Sequence, residues 1–596
     1  MQHTFHIPVL GLGYSIDTPL KVARYGISSV VSIVDDELTE RMRKYHAALN
    51  HEPYHPISKT DHDGRALRIT AYLNLLQKLV SGQITALKAL SFDEPNDLCK
   101  YFDLLPSSSG LRSKYNIMLQ MPEGIGKDRL IKELKEGIKA GDINVNIMSK
   151  VDKANYQNGI YTGDKNTDAL AAIRGFAASN LNTSVVISAG LNPRLFSYME
   201  ELECFLPSAD GHFLKKIILK VSDYRSAIIQ AKVLAKKGLW VSEFRIESGL
   251  NCGGHAFATE GLLLGPILQE FKDNRKTLYQ ELLDLYQQTL EIKNMPVPSL
   301  NPVQLITVQG GIGTSEEHEF LINYYQLDAT GWGSPFLLVP EATSVDVNTL
   351  SDLKQADEND FYLSNASPLG IPFNNFRKST SERQRLERIE RGRPGSPCTK
   401  KYLCSNTEFT DEPICTASRE YQHLKIRQLK SSAIPQEQLT REISKITEKL
   451  CLCVGLCNSA YLKYNILKPR ENQAVSICPG PNLAYFSGEY SLKEMVGHIY
   501  GRENVLGGVN RPNLFVKEFG LYVDYLRKEI EGTLEISAKK AKYFSKFYDQ
   551  LTAGVKYYKD LIIQSDLAKQ IWDHDQLHRF EMISNKLVSS VRPALI

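Results

Sequence analysis

Over its first two thirds the chain alternates short β-branched apolar runs with helix-sized segments, and this alternation constrains the fold more than any other feature. Strand-like runs fall at 7–13, 29–34, 115–121, 143–148, 184–188, 216–221, 239–245, 304–308 and 329–331. Most are separated by stretches with apolar residues three and four apart, such as 223–237, the spacing of an amphipathic helix. Strands that alternate with helices over several hundred residues form a parallel sheet, because each crossover helix covers a face of it. The number of runs fits a closed (β/α)8 TIM-type barrel better than an open sheet. Residues 35–112 are charged and helical in pattern and read as a helical insertion after the second strand. The barrel is expected to occupy 1–370, followed by a Cys-rich, turn-rich segment at 371–490 and a helical region at 491–596.

The chain has 596 residues, more than one core usually organises. A formal charge of +3, from 71 basic and 68 acidic residues, gives no basic stripe of the kind nucleic-acid binders carry. No apolar stretch is long enough to span a membrane, and the first residues lack a charged region followed by an apolar one. A cytoplasmic location is the expectation, without nucleic acid or membrane as partner. Ten cysteines in a chain this long are no disulfide scaffold, yet seven lie between Cys398 and Cys478, which points towards metal or redox chemistry.

Two glycine segments carry the clearest chemistry. Gln309-Gly310-Gly311-Ile312-Gly313-Thr314 follows an apolar run and precedes a helix with acidic early residues, and Gly331-Trp332-Gly333-Ser334 comes about twenty residues later. Glycine lets backbone approach a ligand closely, and N–H groups at a helix N-terminus favour an anion. In a barrel, the loops after the last two strands are a common phosphate site. Tight turns are the alternative reading. A third segment, Asn251-Cys252-Gly253-Gly254-His255, follows the strand run ending near Glu247. A histidine at a strand's C-terminal end faces the catalytic mouth and titrates near neutrality, so His255 is the candidate proton-transfer group. Lys220, at the end of the preceding strand, is a candidate contact for an acidic substrate or a cofactor oxygen.

Gly253-Gly254-His255, then Val308-Gln309-Gly310-Gly311-Ile312, then Gly333-Ser334-Pro335-Phe336-Leu337, in that order, resembles the nitronate monooxygenase (2-nitropropane dioxygenase-like) family of FMN-dependent barrel oxidoreductases. The start, through Gly11-Leu12-Gly13, and Val145-Asn146-Ile147 are similar to the family's first flavin-facing loop and to a strand-end motif. The resemblance covers about half of the chain. It implies non-covalent FMN, with Gln309, Gly310, Gly311, Gly333 and Ser334 at the phosphate and Gly11, Leu12, Gly13, Asn146, Gly253 and Gly254 near the flavin. It also implies His255 as the base or substrate-orienting group. This chain departs from the family at Asn251 and Cys252, where an acidic and a small apolar residue are usual. Both are therefore candidate substrate contacts, and the reaction itself stays open.

Among the clustered cysteines, Cys398, Cys415, Cys453 and Cys478 sit in turns or constrained motifs and are candidate ligands for zinc or an iron–sulfur cluster. Buried core thiols and a redox switch are the alternatives. The leading expectation is an FMN-dependent oxidoreductase acting on a small organic substrate, with NAD(P)H or an electron-transfer partner and a homo-oligomeric state both open. A flavin-free barrel isomerase, lyase or synthase subunit that grips a phosphorylated metabolite is the alternative. A non-catalytic subunit that docks a partner through its helical end is a third.

Overall fold

The structure is a computed structural model that describes residues 2–149, 152–157, 160–188, 190, 192–208, 210–251, 259–533 and 536–591. Eight barrel strands follow one another along the chain: β1 (Phe5–Ile7), β2 (Ser28–Ser32), β3 (Ile143–Ile147), β4 (Ser184–Ile187), β5 (Lys216–Val221), β6 (Val241–Glu247), β7 (Leu305–Gln309) and β8 (Ala329–Gly331). All pair in parallel with their sequence neighbours, and β1 closes the ring against β8 and β2, with His6 opposite both Gly331 and Ser28. This is a (β/α)8 TIM-type barrel.

The strands alternate sharply between their two faces. Phe5, Ile7, Val145, Ile147, Phe244, Ile246 and Val308 belong to the large apolar core, each contributing about 1.5–3 kcal/mol by burial. The intervening residues are polar: His6, Asn144, Asn146, Glu243, Arg245, Thr307 and Gln309 are all buried. They bond to one another, Arg245 Nε donating to Glu243 Oε1 at 2.8 Å and Thr307 Oγ1 donating to the same oxygen at 2.6 Å. Val9, Val30, Val186 and Ile218 form a small separate apolar cluster. The apolar runs are therefore not buried against apolar neighbours on both faces, as a parallel sheet leads one to expect; a mainly polar interior fills the barrel.

The connection between β2 and β3 is entirely helical, running through Asp36–Leu49, Gly64–Ala89, Asp97–Leu104, Gly110–Gln120 and Ile125–Gly137. Residues 115–121, which read as a strand, lie largely in the fourth of these helices. Ser109 caps it by accepting from the N–H of Arg112. Tyr115 and Met118, one turn apart, make its buried face, while Ile117 and Leu119 are 56% and 54% exposed. A run of mixed apolar residues satisfies either period, and here the helical one wins. The first strand is also shorter than its apolar run, since the chain turns from Gly11 onwards.

Beyond β8, a hairpin of Phe361–Ser364 and Phe373–Phe376 is followed by helices Thr380–Glu390, Arg419–Lys430, Gln436–Thr447 and Leu452–Lys463. The chain ends in a helical group that includes Leu514–Glu531, Ala538–Gln564 and His574–Lys586. No helix among the described residues is long and apolar enough to cross a membrane.

Candidate functional site at the barrel mouth

Strand direction decides which side chains meet at the C-terminal end of the barrel. The last residues of β6 and β7, Glu247 and Gln309, lie directly opposite each other in the ladder, and Lys220 stands at the end of neighbouring β5. Glu247 Oε1 is the hub. It accepts from Asn251 Nδ2 at 2.7 Å, Gln309 Nε2 at 2.8 Å and Lys220 Nζ at 3.1 Å. Gln309 Nε2 also reaches Asn251 Oδ1 at 3.2 Å. Three of the residues expected from sequence (Lys220, Asn251 and Gln309) thus converge on a fourth that sequence reasoning passed over. The signal for Glu247 was present: Glu243, Arg245 and Glu247 alternate along one strand, a spacing that places all three on the same face. A carboxylate with an ammonium and two amide donors on one oxygen is fixed in position.

The late glycine loop sits beside this hub. Gly310 and Gly311 have φ of +108° and +81°, and a Cβ on them would come within 2.6 Å of Ser248 Oγ and 2.5 Å of Leu250 Cδ1 respectively. Their lack of a side chain is thus already required by the loop packing against 248–251. The main-chain N–H groups of Gly310, Gly311 and Ile312 form no hydrogen bond with any described residue, although all three residues are buried. A buried N–H without an acceptor costs about 1–3 kcal/mol, so three in sequence mark a place for an anion or water.

The next N–H in the run is committed. Gly313 N donates to Glu317 Oε2 at 2.8 Å, and Glu317 is bound in turn by Arg511 at 2.8 Å and by Leu514 N at 2.8 Å. Arg511 also donates to Gly311 O at 2.7 Å. The N-terminus of helix Ser315–Tyr325 therefore receives a carboxylate of its own chain. In the second glycine loop, Ser334 Oγ accepts from Gly480 N at 2.8 Å, which leaves its hydroxyl hydrogen available for donation. The donor set fits a phosphate at Gly310, Gly311, Ile312 and Ser334, with no free cation beside it among the described residues.

The C-terminal extension builds the rest of the mouth. Asn374, on the hairpin, donates to Asn251 O at 3.0 Å. Gly13 N donates to Leu456 O at 3.0 Å, and Tyr14 OH to Ser476 O at 2.7 Å. Gly11, Leu12 and Gly13 are thus covered by helix Leu452–Lys463; a Cβ on Gly13 would approach Leu456 O to 2.9 Å. At the end of β2, Asp35 caps the next helix through the N–H groups of Glu37 and Leu38, both at 3.0 Å. It also accepts from Tyr402 OH and Cys457 Sγ, each at 3.1 Å, and pairs with Lys400. Burial works against the Lys400 ammonium, but Asp35 outweighs it and holds the lysine protonated well above its ordinary range. Asn146, next to last in β3, lies in the polar interior.

Cys252, Gly253, Gly254 and His255 lie outside the described residues. The segment that carries them is anchored on both sides by one buried carboxylate: Glu518 accepts from Gly249 N at 3.2 Å and Leu264 N at 2.7 Å. Burial pushes the Glu518 carboxyl up to about 7, partly offset by these two N–H donors.

Three of the four candidate thiols lie near one another, Cys398 interacting with both Cys415 and Cys453. Cys398 Sγ lies 3.9 Å from Cys404 Sγ, with Cys415 on the same groove wall. Cys453 is buried in helix Leu452–Lys463, and Cys478 sits near Tyr14. Among the described residues, no group of three or more His, Cys, Asp or Glu side chains is arranged to hold a metal ion.

No protein-family model and no curated protein matches the chain. Among solved structures, it is similar to the enoyl reductase domain of MlnA from the macrolactin biosynthesis cluster from Bacillus amyloliquefaciens, with 13% identity and a TM-score of 0.30 over 76% of this chain and 89% of that one. A score that low carries no argument about chemistry, and the barrel assignment stands on the strand ladder itself.

Proposed function

We propose that this chain is an FMN-dependent oxidoreductase that acts on a small organic substrate at the barrel mouth. One observation carries the reading. The run of buried N–H groups at Gly310, Gly311 and Ile312, with no acceptor among the described residues, adjoins the Lys220–Glu247–Asn251–Gln309 cluster at the same end of the barrel. The N–H groups, together with Gly333 and Ser334, would hold the FMN phosphate, and Gly11, Leu12, Gly13, Asn146, Gly253 and Gly254 would line the flavin. FMN, when bound, supplies a carrier for hydride or single electrons.

The chain's own residues bind and orient. Glu247 fixes the Lys220 ammonium, which stays available to an electron-rich substrate oxygen through its two remaining hydrogens. Gln309 and Asn251 lock the carboxylate in that pose. His255 is the proposed proton-transfer group. NAD(P)H or an electron-transfer partner would serve as reductant, and zinc or an iron–sulfur cluster at the cysteines is a lesser proposal.

The visible spectrum of the purified protein tests this directly. Flavin bands, with FMN released on denaturation or taken up on reconstitution, are expected. Protein that stays colourless and binds no FMN on reconstitution would overturn the reading. Lys220→Met is expected to retain FMN and lose at least about tenfold in turnover, as one charge-assisted hydrogen bond of about 1.5–3 kcal/mol is removed.

A further inference from the structure

Away from the mouth, a groove of about 1040 Å³ opens between the 392–415 loops and helix Arg419–Lys430. Arg419, His423, Arg427 and Lys430 all line it, at spacings of four, four and three that put them on a single helix face. Arg393 faces them from the opposite loop. Glu382 pairs with Arg385, Glu387 with Arg391 and Glu408 with Lys425, while Glu412 and Glu420 line the groove themselves. These last two form no ion pair among the described residues, and neither do Arg393, Arg419, Arg427 and Lys430.

Like charges at these spacings destabilise a helix, so a face of this kind is maintained against its own repulsion. Two further observations concern the Arg419 end of the groove. Arg419 Nε is buried without a hydrogen-bond partner. Arg388, beside it, has its basicity lowered by burial and then by the Arg419 charge. The floor is apolar and thiol-lined, with Pro397, Ile414, Ile426 and Cys415.

We infer that this groove is a binding site for a phosphate-bearing metabolite of nucleotide size, whose phosphates pair with Arg419, Arg427 and Lys430 and whose less polar part rests on the floor. Planar guanidinium groups suit phosphate oxygens, and the volume is at the upper end of what small-molecule sites occupy. Nothing in this inference depends on flavin at the mouth.

Isothermal titration of the full chain provides the test, with ATP, inorganic tripolyphosphate and a twenty-nucleotide single-stranded DNA as probes. ATP is expected to bind more tightly than tripolyphosphate, and both to weaken as salt is raised. The double variant R419Q/R427Q should lose at least about tenfold in ATP affinity, since each charge-assisted contact is worth about 1.5–3 kcal/mol. R419K/R427K, which keeps the charge, should retain most of it. K430Q, a single change at an exposed position, gives a readout of the same sign should the double variant misfold. Three results overturn the proposal: no binding of ATP or tripolyphosphate at millimolar concentration, ATP affinity unchanged in a folded R419Q/R427Q and in K430Q, or DNA bound more tightly than ATP, which would make the face a nucleic-acid surface.

Discussion

The barrel mouth and the basic groove treat charge in opposite ways. At the mouth, charged groups among the described residues are paired within the chain: Lys220 with Glu247, Lys400 with Asp35, and Arg511 with Glu317. In the groove, cations follow one another along a helix face with no ion-pair partner among the described residues, and the two lining carboxylates, Glu412 and Glu420, are unpaired as well. A matched network holds geometry, because removing one member strands the other in a poor solvent. An unmatched one keeps its interaction energy for whatever arrives. Deleting a charge should therefore cost stability in the first region and cost little, or even help, in the second.

The largest effect is expected at Arg511. Arg511→Met leaves Glu317 buried and unpaired, and should destabilise the protein by about 3–5 kcal/mol, read as a fall in the urea midpoint. A loss under about 1 kcal/mol would mean that the mouth is no more tightly matched than a surface. Glu518 comes next. Its carboxyl is raised from 4.5 to about 7, so the folded state holds a proton that the unfolded state releases. The stability this contributes is fully present below pH 4.5 and drains away as pH rises through 7. Glu518→Gln cannot titrate, so its stability relative to wild type should improve by about 2–3 kcal/mol between pH 5 and pH 8. Taking that difference cancels His3 and His318, which burial lowers to about 4 in each case and which act in the opposite sense below pH 6.5. A flat difference would show that Glu518 does not hold a proton in the fold.

Glu247→Gln keeps an acceptor but strands the Lys220 ammonium, and a loss of about 1–2 kcal/mol is expected, again from the urea midpoint. The smallest effect should have the opposite sign. Arg427→Gln relieves like-charge repulsion on its helix and should leave stability unchanged or raise it by about 0.2–0.5 kcal/mol at low salt, with the gain disappearing at high salt. Destabilisation there would erase the contrast between the two regions.

How far the sequence reveals all this depends on the range of the interactions involved. The barrel strands are legible because each is a local apolar run with a helix-sized partner. The segment at 115–121 is the exception, since Tyr115, Ile117, Met118 and Leu119 satisfy both periods and only the cap at Ser109 separates them. Lys220, Asn251 and Gln309 are legible as strand-end and loop residues, but their meeting at Glu247 requires the strand register, which no local pattern states. The Glu317–Arg511 pair spans 194 residues and left no motif. In the sequence, the glycines at 310 and 311 read as making room for a ligand; the structure adds that the 248–251 loop already fills the space their side chains would take.

The bond from Tyr14 to Ser476 joins residues 462 positions apart. At a synthesis rate of about 5–20 residues per second, the second partner leaves the ribosome roughly half a minute or more after the first. In the last part of that interval, once Ala329–Gly331 has emerged, the nascent barrel carries an unroofed rim of polar side chains and open backbone. The mouth is thus assembled last, and a chain shortened before the 470s would keep its barrel strands yet lack the surface that closes over them.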